Sequence, residues 1–229
     1  MVIDIGVCVS DLERLDAFIQ IAQRIGFSGF AVHNIEGAPD QSSGTGFSIL
    51  KRSDVSGRGV KSLRKKVGNV REHSMIVGVK LTSVETANWA AEDQRVDLLT
   101  LDPFRECRVR ASTAHLAAVS GTALEIRFEP LLHLVGLNRS KVIKSFREAV
   151  TTAIDAGMQV ILSSGATHPL HMRSPVAMQH LGELLGMTTK YAESAVRIAP
   201  LSIVERNRKR LDSGYVAEGV EVVRRGIKK

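Results

Sequence analysis

The side chains in this sequence best placed to act on a ligand are its cations. Lys61, Arg64, Lys65 and Lys66 crowd one short segment, and Lys80, Arg105, Arg127, Arg173 and Arg206 fall at the ends of expected strands or in loops. Cations in such positions reach outward and can neutralise phosphates. Each has a plainer reading as well: the Lys61–Lys66 cluster as the solvated face of a helix, each arginine as half of an ion pair. A second candidate is the run Ser163-Ser164-Gly165-Ala166. Small residues there either let backbone amides approach a phosphate or simply satisfy a tight turn.

Catalytic patterns are thin. No Gly-x-Ser-x-Gly elbow occurs, so a nucleophilic serine has no sequence support. The close histidine pair is His168-Pro169-Leu170-His171, which would suit two ligands of a zinc turn but lacks a second pair. Glu125 and Glu129 stand four apart and are expected on one side of a strand, with Arg127 on the other. A buried or interfacial polar contact is the preferred role for Glu125, ahead of paired acid–base work. Other polar residues at expected strand ends are Ser10, His33, Lys51, Arg52 and Asp102. The expectation is therefore no catalytic side chain and no protein-bound metal.

The elements that must position these groups alternate. Strands are expected at residues 2–9, 27–33, 47–55, 74–81, 96–101, 123–128 and 160–162, with a short eighth at 196–198. Between them lie segments with helical periodicity. Ser10-Asp11-Leu12-Glu13 and Thr82-Ser83-Val84-Glu85 read as capping boxes. The first of these opens a stripe of Leu12, Leu15, Ile19 and Ala22, which Gly26 ends. Val142, Phe146, Ala149, Val150, Ala153 and Ile154 mark a long helix, capped by Asn138 or Ser140 and closed by Gly157. Residues 34–46, rich in Gly, Ser, Asp and Pro, read as an irregular loop replacing a helix. Eight strands alternating with helices predict a single-domain TIM-like (β/α) barrel over residues 1–211. The periodicity alone also permits an open doubly wound sheet. Residues 212–229 read as a basic, mobile tail.

Composition narrows the partners. The chain has 229 residues, 44% of them apolar and 24% charged, as expected of a soluble globular domain. No apolar run approaches the roughly 18 residues of a membrane span, and strand-like residues begin at Val2 with no secretory leader ahead of them. A cytoplasmic location is expected, with Cys8 and Cys107 as reduced thiols. The net charge of +7 favours a polyanionic partner, while aromatic residues make up only 4%. Few aromatics argue against base stacking along single strands. Contacts to phosphates and 2′-hydroxyls of folded RNA fit better.

Several short motifs in the C-terminal half carry a resemblance. Leu124-Glu125-Ile126 with Pro130-Leu131-Leu132, then Ser163-Ser164-Gly165-Ala166, Arg173-Ser174-Pro175, Leu184-Leu185-Gly186-Met187, and Pro200-Leu201-Ser202-Ile203 with Arg206-Asn207 follow one another in order. In this order they resemble the archaeal form of the 30-kDa protein subunit family of ribonuclease P. The resemblance implies a TIM-like barrel that binds and stabilises a catalytic RNA for removal of 5′ leaders from precursor tRNA. It also implies a small ferredoxin-like protein partner, a two-plus-two heterotetramer, contact with other ribonuclease P proteins, and magnesium held by the RNA. The same barrel is similar to that of PHP-type metal-dependent phosphoesterases, whose first strand carries His-x-His. Here that strand reads Ile3-Asp4-Ile5-Gly6-Val7-Cys8, with Asp4 its one polar candidate. The rival readings are a free-standing barrel phosphoesterase using the Ser163–Ala166 turn, and a protein-interaction scaffold.

Overall fold

The computed structural model describes residues 1–33, 46–104 and 108–212, together with the backbone of residues 41–42, 215–217 and 220–221. Arg105 and Cys107, and most of the loop expected at residues 34–46, lie outside the described residues.

Seven parallel strands form the sheet: β1 (Ile3–Val7), β2 (Gly29–His33), β4 (Ser48–Val55), β5 (Ile76–Lys80), β6 (Leu98–Thr100), β7 (Ala123–Arg127) and β8 (Val160–Ser163). The short β3 (Gln41–Ser42) pairs antiparallel with β4. Helices α1 (Leu15–Arg24), α2 (Val60–Arg71), α3 (Val84–Glu92), α4 (Ala111–Ser120), α5 (Glu129–His133) and α6 (Gly136–Asp155) connect the strands. Helices α7 (Pro175–Leu184), α8 (Thr189–Arg197) and α9 (Ala199–Leu211) follow β8. Among the described residues, no helix is long and apolar enough to cross a membrane.

Strand order follows chain order, as right-handed crossovers require. The seam between β1 and β8 is bridged by the Cys8 amide donating to the Ala166 carbonyl at 2.9 Å. The result is a nearly closed barrel. Outward residues such as Phe30, Val77, Leu99, Leu124 and Leu162 pack against the helices. Strands covered on both faces read as continuous apolar runs, as seen here.

The barrel floor explains the corrected element. Val196 and Arg197 end α8 and Ile198 is the turn into α9, so these residues are not an eighth strand. Ala192, Ala195 and Val196 are buried at helical spacing, and Thr188 caps α8 by accepting from the Tyr191 amide. Three residues, Val196-Arg197-Ile198, are too few to separate the two states by period, and the cap decides it. In place of a strand, α9 brings Ala199, Ile203 and Val204 against Ile3, Ile5, Ala31, Leu50, Ile76, Leu98, Ala123 and Ile161.

Local caps also differ from expectation. Asp11 caps a single 3-10 turn, Leu12–Arg14, and Leu12 is half exposed while Phe18 is buried. In α3 the box uses Ser83 and Thr86, one residue later than Thr82 and Glu85. Helix α6 starts at Gly136, ahead of Asn138 and Ser140, and has no side-chain cap. Beyond α9, Tyr215–Ala217 and Val220–Glu221 pair as an antiparallel ladder within the segment read as a tail.

Candidate functional site

In α/β barrels, functional groups collect at the C-terminal ends of the strands. Here that end holds an ionic network. Arg52, fully buried, donates from Nη1 to Glu125 Oε1 at 2.6 Å and from Nη2 to Glu125 Oε2 at 2.5 Å. It also reaches the Ile5 carbonyl at 2.6 Å and Asp54 Oδ1 at 2.9 Å. Arg127 donates to Asp54 Oδ2 at 2.5 Å and to Glu125 Oε2 at 3.1 Å. Thr100 and Ser163 donate to the remaining faces of Glu125, and His33 Nδ1 lies 3.0 Å from Asp54 Oδ2.

Two glycines make room for this cluster. A Cβ on Gly6 would lie 2.4 Å from Ser163 Oγ, and one on Gly78 would lie 2.6 Å from Asp54 Oδ1. Burial alone would push Glu125 up, but Arg127 and Arg52 outweigh it and hold the carboxyl down at about 2. Asp54 is likewise held well below the usual carboxylate range, with Arg52 and His33 overcoming its burial. His33 is pushed down, first by burial and then by Arg52. Each of the two carboxylates is bound to both arginines, and Glu125 also accepts from Thr100 and Ser163. The centre of the mouth is thus occupied by structural ion pairs. Arg127 shares the strand face of Glu125, since residues two apart point the same way. Its expected opposite orientation is corrected, and Glu129 has left the strand for α5.

The Ser163–Ala166 turn is buried throughout. The Ser164 amide donates to Asp4 Oδ1 at 3.2 Å and the Ala166 amide to Ser164 Oγ at 3.1 Å. Gly165 takes φ +65°, with Arg127 and Glu129 side chains packed over it. The Ser164 and Ala166 amides are thus both engaged within the protein.

Asp4 is the turn's anchor: its Oδ1 also accepts from the Gly6 amide at 3.1 Å. Burial pushes its carboxyl above the usual range, against the bonds from Ser164 and Gly6. A raised native pKa means the folded state binds the proton more tightly. Its favourable contribution is therefore full below the unfolded carboxylate pKa and is lost as pH rises through the folded value. Asp4→Asn keeps an acceptor for both amides and removes the ionisation. We expect it to raise Tm at neutral pH, where a gain of about 1 kcal/mol corresponds to roughly 2–4 °C, and to add less at pH 4. Calorimetry at both pH values checks this.

The remaining predicted cations separate into two groups. Arg206 lies at the opposite end of the barrel, donating to Asp97 Oδ1 at 2.9 Å and to the Gly121 carbonyl at 2.8 Å. Arg173 is half-buried and donates to the Leu170 and Met172 carbonyls. Lys61, Arg64 and Lys65, by contrast, are exposed along α2. Lys80 is exposed at the end of β5, 3.5 Å from Asp102 Oδ2.

His168 caps the turn Pro169–His171, with its Nδ1 accepting from the Leu170 amide at 3.2 Å. His171 meets His133 edge to face, the ring centroids 4.7 Å apart. Among the described residues, no group of three or more His, Cys, Asp and Glu side chains is arranged to hold a metal ion.

Sequence reasoning missed Asp54 and Asp97 altogether and did not join Arg52 to Glu125. The signal was present: Arg52-Ser53-Asp54 and Glu125-Ile126-Arg127 put opposite charges two apart, and so on one face, inside strands.

The chain is thus an α/β barrel whose mouth is filled by paired charges, with exposed cations along its rim. The profile of the family RNase P subunit p30 matches residues 1–212, and the chain belongs to that family. A ribonuclease P protein component 3 from Methanosarcina barkeri is 28% identical over 218 residues, covering 93% of this chain and 90% of that protein. The Methanosarcina acetivorans counterpart is 29% identical over 212 residues, covering 90% and 87%. Among solved structures, a chain in a cryo-EM structure of archaeal ribonuclease P with mature tRNA superposes with a TM-score of 0.82 at 18% identity, covering 98% of this chain and 100% of that one. A crystal structure of an amidohydrolase gives 0.57 at 12% identity, covering 91% and 75%, a likeness of fold alone.

Proposed function

We propose that this chain is a non-catalytic protein subunit of ribonuclease P, acting in the cytoplasm to bind and stabilise the catalytic RNA that removes 5′ leaders from precursor tRNA. The family match across the whole barrel carries this reading. The filled mouth supports it, because Glu125 and Asp54 are committed to arginines. The protein's physical task is to lower repulsion among crowded phosphates and to hold the RNA fold. Lys61, Arg64, Lys65 and Lys80 are the exposed cations assigned to RNA, while Arg127 and Arg206 serve the scaffold through Asp54 and Asp97. The partners are the ribonuclease P RNA, a small ferredoxin-like protein subunit in a two-plus-two assembly, and other ribonuclease P proteins, with precursor tRNA reached indirectly. Magnesium belongs to the RNA, where metal ions stabilise the attacking and leaving oxygens.

Reconstitution tests this reading. With the RNA and the small protein subunit present, omitting this chain is expected to abolish leader cleavage at modest magnesium. The lone chain is expected to cleave nothing. Full cleavage without the chain, or turnover by the chain alone, overturns the proposal.

A further inference from the structure

Beside the filled mouth, between the loops that follow β4 and β5, lies an open cavity of about 830 Å³. Arg58 enters it from the β4–α2 loop, Lys80 from the end of β5, and Ser62 and Lys66 from α2. Ser62 and Lys66 are four apart and so share one helix face, while Lys61, Arg64 and Lys65 extend the positive charge along exposed α2. Lys66 Nζ donates to the Ser56 carbonyl at 2.8 Å, which fixes the loop that carries Arg58. Asp102 Oδ2 lies 3.5 Å from Lys80 Nζ, while the residues lining the cleft include Arg58, Lys66 and Lys80 and no carboxylate, so its lining is positive.

Its lining selects a class of ligand. Every lining residue is Ser, Thr, Gly, Arg or Lys. Nothing there can anchor a protein partner through a buried aromatic or aliphatic side chain. No aromatic ring offers a stacking platform for a base. Hydroxyls and cations without apolar or aromatic walls suit phosphate oxygens and ribose 2′-hydroxyls. The volume falls within the roughly 300–1,000 Å³ of small-ligand pockets, enough for a segment of sugar–phosphate backbone.

We propose that the Arg58–Lys66–Lys80 cleft seats the sugar–phosphate backbone of the ribonuclease P RNA. This rests on the reading of the chain as an RNA-binding subunit and names the surface that does the binding. The contact is to backbone, so it positions the RNA and carries no base preference.

The test uses the full chain and its cognate ribonuclease P RNA, with affinity measured between 50 and 200 mM salt. The Arg58→Ala/Lys80→Ala variant leaves Lys66 in its loop-holding role. Both altered residues are exposed, so Tm is expected to stay unchanged. Each lost phosphate contact lowers the slope of log K against log salt by about 0.7–0.9. The double variant is thus expected to lose about 1.4–1.8 from the slope, while Lys144→Ala/Lys190→Ala, equal in charge but on α6 and α8, loses none. An unchanged slope in the cleft variant, with steep salt dependence in the wild type, overturns the cleft and leaves the RNA reading standing. A flat response in the wild type overturns the RNA reading itself. Independently, a photo-crosslinker on Ser62→Cys is expected to join RNA in the reconstituted holoenzyme. Crosslinks to protein alone, or protection by inorganic phosphate with no RNA captured, overturn the assignment.

Discussion

Replacing Glu125 with alanine is expected to lower the melting temperature by roughly 6–20 °C. Arg52 has no exposure to solvent, and Glu125 supplies both of its shortest side-chain bonds. Breaking a buried pair by removing one partner costs about 3–5 kcal/mol, because the survivor is left charged and dry. For a chain of this length each kcal/mol is worth roughly 2–4 °C. Asp54 still holds Arg52 through Nε, so the lower half of the range is the better guide. Arg52→Met/Glu125→Leu removes both charges, and well-packed apolar replacements of buried pairs are often neutral or stabilising. The double variant is expected to recover at least half the loss in a calorimetric melt. No recovery would show that the cost lies with Thr100, Ser163 and the Ile5 carbonyl, which also bond into this cluster. The pair also fixes the acid response. Glu125 is held at about 2 in the folded chain against an ordinary value near 4.5. A depressed native pKa gives stability that is present above the unfolded value and lost as pH falls through the folded one. Wild type should therefore weaken between about pH 5 and pH 2, and the Met/Leu variant less steeply.

The fold was largely legible and the site only in part, for a physical reason. Parallel strands covered on both faces betray themselves as apolar runs such as Val160-Ile161-Leu162, and each of the seven parallel strands overlaps a range expected from sequence. Helix α9 as a barrel floor was not legible. Its buried residues, Ala199, Ile203, Val204 and Asn207, face a layer assembled from every strand, and no local pattern records that layer. Of the predicted cations, Lys61, Arg64, Lys65 and Lys80 stand exposed, whereas Arg127 and Arg206 face Asp54 and Asp97, which are 73 and 109 positions away. Sequence shows that an arginine exists at a strand end. Whether its partner is a carboxylate or a phosphate depends on long-range pairing. Arg58 and Lys66 enter the cleft for the same reason: β5 brings Lys80 beside them, a neighbour set by register and not by spacing.

The second large effect concerns the other end of the barrel. Asp97, fully buried at the start of β6, accepts from Arg71 at 2.7 Å, the Val77 amide at 2.8 Å, Arg206 at 2.9 Å and the Asn207 amide group at 2.8 Å. Through the last two it ties α9 to the sheet, doing for the floor what an eighth strand would do through a ladder. Asp97→Ala leaves four donors without their acceptor. The arginines retain side-chain exposures of 15% and 28%, so water can reach them, and the loss should lie near 3 kcal/mol, the low end for broken buried pairs. That is roughly 6–12 °C in Tm, with hydrogen exchange speeding first in α9 and at Val77. A drop well beyond roughly 12 °C would mean that water does not reach Arg71 and Arg206. The variant also separates stability from binding. Arg58 lies in the loop after β4 and Lys80 at the C-terminal end of β5, at the opposite end of the barrel, so below its melting temperature Asp97→Ala should keep the full salt slope for RNA. A slope reduced to that of Arg58→Ala/Lys80→Ala would mean that floor and rim are coupled, and that α9 does more than close the barrel.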